Sequence, residues 1–304
     1  MWDGPDPRTN DSRDVHASDP RDLDVRDPRD VFTADLDLPR GREREFVFVH
    51  EHAYQLRSSE ARALATIGAF RVLRANELRD DEGRTGDLRH GDLDRLRSAG
   101  LIRSIAPAEG EERTSFVSLT DRGKELLDSH RVRDRGASQR YYAGPAKMRE
   151  LTHDAELYRA YLEAAERLHA QGAQVDRIVL DDELKREYQA FLQAGNRENP
   201  ESDGRPTRTM SEIHEWADVH HLPVLDGSVQ FPDLRIEYEW PDGRRDIDDV
   251  EVLTPHYRGA HAAAKARAGF SAYRASGSRV GGRGGQASRG DRPFDPDLAD
   301  EFVK

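Results

Sequence analysis

The feature that most restricts this chain is a change of hydrophobic period between Ser59 and Gly123. Ala61, Leu64, Ile67 and Phe70 recur every three residues, the spacing of one face of a helix, which predicts a helix from Ser59 to Phe70. A short helix is expected around Arg74 to Leu78. A third is expected from Asp87 to Ala99, with Leu88, Leu93 and Leu96 facing inward and Gly100 as its stop. The pattern then becomes that of strands. Leu101-Ile102-Arg103 and Phe116-Val117-Ser118-Leu119 flank the polar loop Pro107 to Arg113, and Thr120 is placed to cap a closing helix.

Composition divides the rest of the 304 residues. A chain of this length suits two domains. With 35% charged and 36% hydrophobic residues, part of it is expected to lie outside any core. Residues 1–44 repeat Asp-Pro-Arg at 6–8, 19–21 and 27–29 among further aspartates and read as a disordered acidic arm. The Gly, Arg and Ser rich stretch from Gly277 to Gly290 places a flexible tail over 276–304. Between these ends the expected units are 45–131, a polar linker 132–144, and 145–275. No apolar run approaches the roughly 18 residues of a membrane helix, and the acidic N-terminus does not resemble a signal peptide, so the expectation is a soluble, cytoplasmic protein. The absence of cysteine excludes disulfides, thiolate-bound zinc and cysteine nucleophiles. A net charge of -12 argues against coating nucleic acid by bulk electrostatics, so any such contact must come from a local patch.

The second unit reads as an α/β domain. Leu151, Ala155, Tyr158, Leu162, Ala165 and Leu168 trace a long amphipathic helix. A strand over Val175 to Leu180, a helix over Asp181 to Leu192 and a polar loop over Gly195 to Arg208 follow. Val229 to Thr254 then reads as a hairpin, and Tyr257 to Tyr273 as a last helix. Trp240-Pro241-Asp242-Gly243-Arg244 suits a three-residue hairpin loop, because Pro presets the first turn position and Gly takes the left-handed one. That loop pairs Trp240 with Arg244 and brings Asp233 opposite Glu251. Leu234, Ile236, Tyr238, Trp240, Val250 and Val252 then share one face, and Asp233, Arg235, Glu237, Asp249 and Glu251 the other.

Leu93-x-x-Leu96-x-x-x-Gly100-Leu101-Ile102 with Val117-x-Leu119-Thr120-x-x-Gly123 resembles winged helix-turn-helix transcription regulators. The resemblance implies that the third helix enters the major groove of double-stranded DNA, where Arg pairs with guanine edges and other cations hold phosphates. Arg84, Arg89, His90, Arg97 and the wing's Arg113 are the candidate DNA contacts. Glu109, Glu111 and Glu112 make the wing acidic, and Asp92 and Asp94 lie on the reading helix. A protein-protein module is the competing use of the same fold.

Phe231-Pro232-Asp233 followed by Val250-Glu251-Val252 resembles the core of nucleases whose motif is Pro-Asp and then Asp/Glu-x-Lys. That resemblance implies Mg2+ or Mn2+ on Asp233 and Glu251, activating water and offsetting charge on the attacked phosphate. The lysine position of the motif is Leu253, and Lys265 is the candidate to supply the missing cation. The competing reading is an exposed sheet face on which Arg235 pairs with Asp249. Metal binding by His214 with His220 and His221, or by His50 with His52, rests on spacing alone, and polar surface use is the competing reading.

Taken in order, the winged helix, a helix opening Leu151-Thr152-His153-Asp154, Pro232-Asp233, Glu251 and a helix with Lys265 and Tyr273 resemble the replication-relaxation family. The likeness covers about residues 57–275. The implied fold is α+β, an N-terminal winged helix-turn-helix followed by an α/β domain like a degenerate restriction endonuclease. The implied role is DNA binding in replication or mobilisation of a plasmid or other mobile element, with a homodimer or the element's replication and transfer proteins as partners. A metal-dependent nuclease and a transcriptional repressor are the alternatives.

Overall fold

Alanines at 61, 63, 65 and 69 let neighbours approach Ser58–Phe70, the first α-helix (α1), from almost every side, and its residues 63 to 70 are all buried. Its start is fixed by Glu60, whose carboxylate accepts the backbone N–H of Arg57 at 3.1 Å. The computed structural model describes residues 27–106, 115–132, 138–196, 208–253 and 267–275. Before α1 lies an antiparallel ribbon of β1 (Glu45–Val49) and β2 (His52–Leu56). After it come β3 (Leu73–Arg74), α2 (Gly91–Ser98), β4 (Ile102–Ile105), β5 (Phe116–Leu119) and α3 (Asp121–Ser129). The last three strands form an antiparallel sheet in the order β3-β5-β4.

Two expectations change here. Arg74 to Leu78 is not an α-helix: β3 ends at Arg74 and one 3-10 turn, Ala75–Glu77, follows. The expected third helix begins at Gly91 rather than Asp87, because residues 87 to 90 close a turn through a bridge between Asp87 and His90.

In the second half α4 (Leu151–Ala170), β6 (Gln174–Leu180), α5 (Asp181–Gln193) and α6 (Met210–Val219) precede a small pair, β7 (Val224–Leu225) and β8 (Ser228–Val229). The hairpin is β9 (Leu234–Glu239) with β10 (Arg245–Leu253), and β11 (Ser271–Arg274) runs parallel to β10. The four-stranded sheet has the order β11-β10-β9-β6. Hairpin register follows the loop chemistry: Arg245 pairs with Glu239 and Val250 with Leu234, the Trp240 N–H donates to the Arg244 carbonyl at 2.8 Å, and Gly243 has φ +81°. The expected last helix is corrected at its end. Ser271–Arg274, including Tyr273, is a strand, while residues 254–266 lie outside the described residues.

The acidic arm and the linker are also shorter than expected. Residues 27–44 pack on the core through Phe32, Leu36 and Leu38, and the third Asp-Pro-Arg is built in: the Arg29 guanidinium donates to Asp27 at 2.8 Å and to the Arg79 carbonyl at 2.5 Å. Residues 138–142 form a buried strap rather than a free linker. Gln139 donates to the Ile178 carbonyl and accepts the Ile178 N–H, and Tyr141 and Tyr142 are buried. Residues 1–26 and the tail 276–304 lie outside the described residues. Among the described residues, no helix is long and apolar enough to cross a membrane.

The Thr120-x-x-Gly123 pair has a physical cause. Thr120 Oγ1 accepts the Gly123 N–H at 3.2 Å, capping α3, and a Cβ at Gly123 would lie 2.1 Å from the Leu101 carbonyl oxygen. Only glycine lets α3 dock that closely on the start of β4. Gly123→Ala is expected to destabilise the protein by an amount at or above the upper end of the roughly 1–3 kcal/mol typical of overpacking, measured by urea unfolding.

Candidate functional site: a basic helix face and a carboxylate site

Leu93 and Leu96 turn one side of α2 into the core, and helical periodicity sends Arg95 and Ser98 outward. Asp92 does not join the exposed side. It is 9% exposed and accepts from Arg57 Nη2 at 2.6 Å and from Ser59 Oγ at 2.5 Å. This acid therefore ties α2 to the start of α1 and presents no charge to a ligand. Asp94 is held by Arg97 at 3.0 Å one turn on.

The predicted DNA contacts fall into three groups. Arg89 is exposed on the turn before α2, where its backbone N–H donates to Asp87 at 2.8 Å, and His90 is exposed beside it, 3.6 Å from the same carboxylate. Arg97 is exposed but shared with Asp94. Arg84 is engaged by Asp80 at 2.8 Å and by Glu82. Arg113 and the wing glutamates lie outside the described residues. Arg95 was not among the sequence candidates, yet it is exposed on the outer face of α2. The period set by Leu93 and Leu96 was the signal for it.

The second site gathers at one end of the mixed sheet. The β9–β10 ladder ends at the pair Val250 and Leu234. One residue further, Asp233 has left the strand, and its Oδ2 accepts the Val252 N–H at 2.9 Å, taking the place of a backbone acceptor. Glu251 is 3% exposed. From α4 His153 reaches in: Nε2 lies 3.3 Å from Asp233 Oδ2 and Nδ1 3.6 Å from Asp154 Oδ1. Both ring nitrogens thus face carboxylates, an arrangement satisfied when both carry protons. Burial alone would lower the His153 pKa, but the hydrogen bonds and charges of Asp154 and Asp233 outweigh it and raise the pKa to about 10. Asp154 is pushed up by burial against the pull of His153, and its Oδ2 is buried without a hydrogen bond among the described residues.

The sheet face carrying Arg235 is not exposed, contrary to the structural alternative. Arg235 is buried, donates twice to Asp249 at 2.7 and 2.8 Å, and sends its other donors to the His220 and His221 carbonyls at the end of α6. The guanidinium is therefore satisfied on several sides, as a buried charge requires. Burial still raises the Asp249 pKa in spite of Arg235.

One oxygen of the Asp233 carboxylate, Oδ2, is already engaged by His153 and the Val252 N–H. Among the described residues no group of three His, Asp or Glu side chains is arranged to hold a metal ion. Lys265 lies outside the described residues. His214 and His220 each turn Nδ1 to the carbonyl four residues earlier, at 2.7 Å, and His220 also stacks on Trp216. His50 faces Glu125 at 3.4 Å. His153 and Asp154 were the functional candidates that sequence reasoning left among helix residues. A histidine and an aspartate side by side at the start of an amphipathic helix were the available signal.

A histidine with a raised pKa stabilises the fold fully below its unfolded value of about 6.5, and the contribution is lost as pH rises through the folded value. Urea unfolding from pH 6 to 10 should therefore show wild type losing stability relative to His153→Gln. Parallel curves for the two proteins would remove the ion pair from the site. No protein-family model, curated protein or solved structure matches this chain.

Proposed function

We propose that this chain is a DNA-binding protein whose residues 57–131 act as a winged helix-turn-helix, with α2 as the helix that reads the major groove. The observation that carries this reading is the charge at α2: Asp92 is drawn inward by Arg57 and Ser59, which leaves Arg89 in the turn before the helix and Arg95 on its outer side as exposed cations, while Arg97, on the other side of the helix, is shared with Asp94. Exposed arginines at the start and on the outer side of a helix suit guanine edges and phosphates. The order of α1, the 3-10 turn, α2, then β4 and β5 with β3 beside them supports the same reading. The resemblance to the replication-relaxation family puts this activity in replication or mobilisation of a mobile element.

Few phosphates are neutralised by so small a face, so the salt dependence of binding should be shallow, since its slope scales with their number. Arg89→Ala with Arg95→Ala should weaken duplex binding at least tenfold in an anisotropy titration. Arg84→Ala should matter less, because Asp80 and Glu82 already engage that side chain. Unchanged affinity in the double variant would sink the docking reading.

A second reading, phosphodiester cleavage, is favoured by one observation: the hairpin register carries Asp233 and the buried Glu251 to the same end of the sheet. In it these carboxylates bind Mg2+ or Mn2+, which would activate water, and Lys265 supplies the cation. Supercoiled plasmid incubated with protein and either metal should then be nicked by wild type and left intact by Asp233→Ala. Equal nicking by both, or none by either, removes the cleavage reading.

A further inference from the structure

A cleft of about 570 Å³ opens beside the first turn of α1, where the N-terminal segment meets the loop that leads towards α2. Its lining includes four aspartates and five arginines. The acids are already answered: Asp27 accepts from Arg29 at 2.8 Å, Asp30 and Asp81 from Arg62 at 2.7 and 2.9 Å, and Asp80 from Arg84 at 2.8 Å. Three arginines of the lining remain. Arg79 donates to the Gly83 carbonyl at 2.9 Å, and Arg40 reaches the Ala34 carbonyl at 3.4 Å. Among the described residues, neither these two nor Arg42 pairs with a carboxylate, and all three are exposed.

That remainder runs against the composition. With 59 Asp and Glu against 47 Lys and Arg, a carboxylate is at hand for most arginines of this chain, and Arg29, Arg57, Arg62 and Arg84 around the cleft each have one. Arginines that line a concave surface with their donors turned to carbonyls or water keep the capacity to hold an oxyanion. Position selects which oxyanion. Ser58 in the cleft wall lies between Arg57 and Ser59, the two residues that hold Asp92 in the first turn of α2. The cleft thus flanks the end of α2 that carries Arg89. A duplex entered by a helix presents backbone phosphates beside the groove, and contacts to them fix register and orientation.

We propose that this cleft holds backbone phosphates of the duplex that α2 reads, with Arg40, Arg42 and Arg79 as their partners. The assignment rests on the DNA-binding reading and supplies the positioning contacts that the small α2 face lacks. Arg40 and Arg42 are not carried on a free arm: the Gly41 carbonyl between them accepts the Ser58 N–H at 2.9 Å, which fastens this stretch to the start of α1. The exposed acids nearby do not compete for the site. Glu43 and Glu82 lie outside the lining, and Glu82 is paired with Arg84. A free phosphate ester offers the same oxygens as the DNA backbone, so the test separates the two.

Anisotropy titrations of duplex DNA with the full chain, repeated over a range of salt, test the proposal. Arg40→Gln with Arg42→Gln should weaken binding about fivefold or more and make the slope of log affinity against log salt shallower by about 1 to 2, at roughly 0.9 for each phosphate given up, with an unchanged circular dichroism spectrum. Arg79→Gln should act in the same direction. Arg244→Gln with Arg245→Gln at the β9–β10 loop removes the same charge elsewhere and should leave affinity and slope as in wild type. If the Arg40 and Arg42 variant matches wild type in both while Arg89→Ala with Arg95→Ala still binds weakly, the cleft assignment is overturned and the DNA-binding reading stands. A wild type that binds no duplex overturns both, and an equal loss in the Arg244 and Arg245 variant reduces the effect to bulk charge and overturns the cleft. Inorganic pyrophosphate that raises the melting temperature of wild type but not of the Arg40 and Arg42 variant, with equal duplex binding by the two, would give the cleft to a free phosphate ester and overturn the DNA contact.

Discussion

Four aromatic rings determine how the two halves of this protein meet. Phe32 comes from the N-terminal segment, Phe70 from the end of α1, and Tyr158 and Tyr161 from α4. Their centroids lie 5.2 to 5.4 Å apart across the contacts of Phe70 with the other three and of Phe32 with Tyr161. The tyrosine hydroxyl that would otherwise be stranded has an outlet, since Tyr161 donates to the Pro28 carbonyl. Around the rings, Arg74 pairs with Glu156 at 2.7 Å, Arg159 with Glu77 at 2.6 Å, and Arg71 with Asp182 while lying over the Tyr142 ring. Each pair joins the first half to the second. Helix α2 and the mixed sheet therefore share one core, and under the proposed DNA-binding reading a duplex docked on α2 would meet the rest of the chain in a fixed orientation.

That junction explains which parts of the fold were legible in the sequence. Wherever one residue does a local job, the sequence announced it: Gly243 sets the hairpin loop and with it the whole β9–β10 register, and Thr120 with Gly123 sets the cap and close approach of α3. The N-terminal segment was missed because three apolar residues, Phe32, Leu36 and Leu38, are diluted by aspartates and arginines in any composition window, although those three are what hold it down. The strap at 138–142 was missed for a related reason. Gln139 looks like a linker residue until its amide is seen completing the ladder edge at Ile178.

At the candidate sites the limit was different. Alternation along β9 and β10 sorted side chains correctly between two faces, but parity does not say what covers a face. Arg235 was expected to meet water and instead meets the end of α6. Strand β11 reaches β10 by a crossover and pairs in parallel, an arrangement without the tight-turn signature that made the hairpin readable. His153 likewise gains its meaning only when α4 is laid against the end of the sheet, 80 residues away in sequence from Asp233.

One electrostatic device recurs through the molecule and bears on how an acidic chain can approach DNA. Asp92 is paired with Arg57, Asp249 with Arg235, and Asp154 and Asp233 with His153, so that each buried or half-buried acid meets a cationic partner. Such pairs add little net stability, because desolvation offsets their attraction. They do select geometry, since breaking one strands a charge. Under the proposed DNA-binding reading the same device at α2 removes Asp92 from the surface that a phosphate would approach. The net charge of -12 then weakens long-range attraction to DNA without opposing the contact itself.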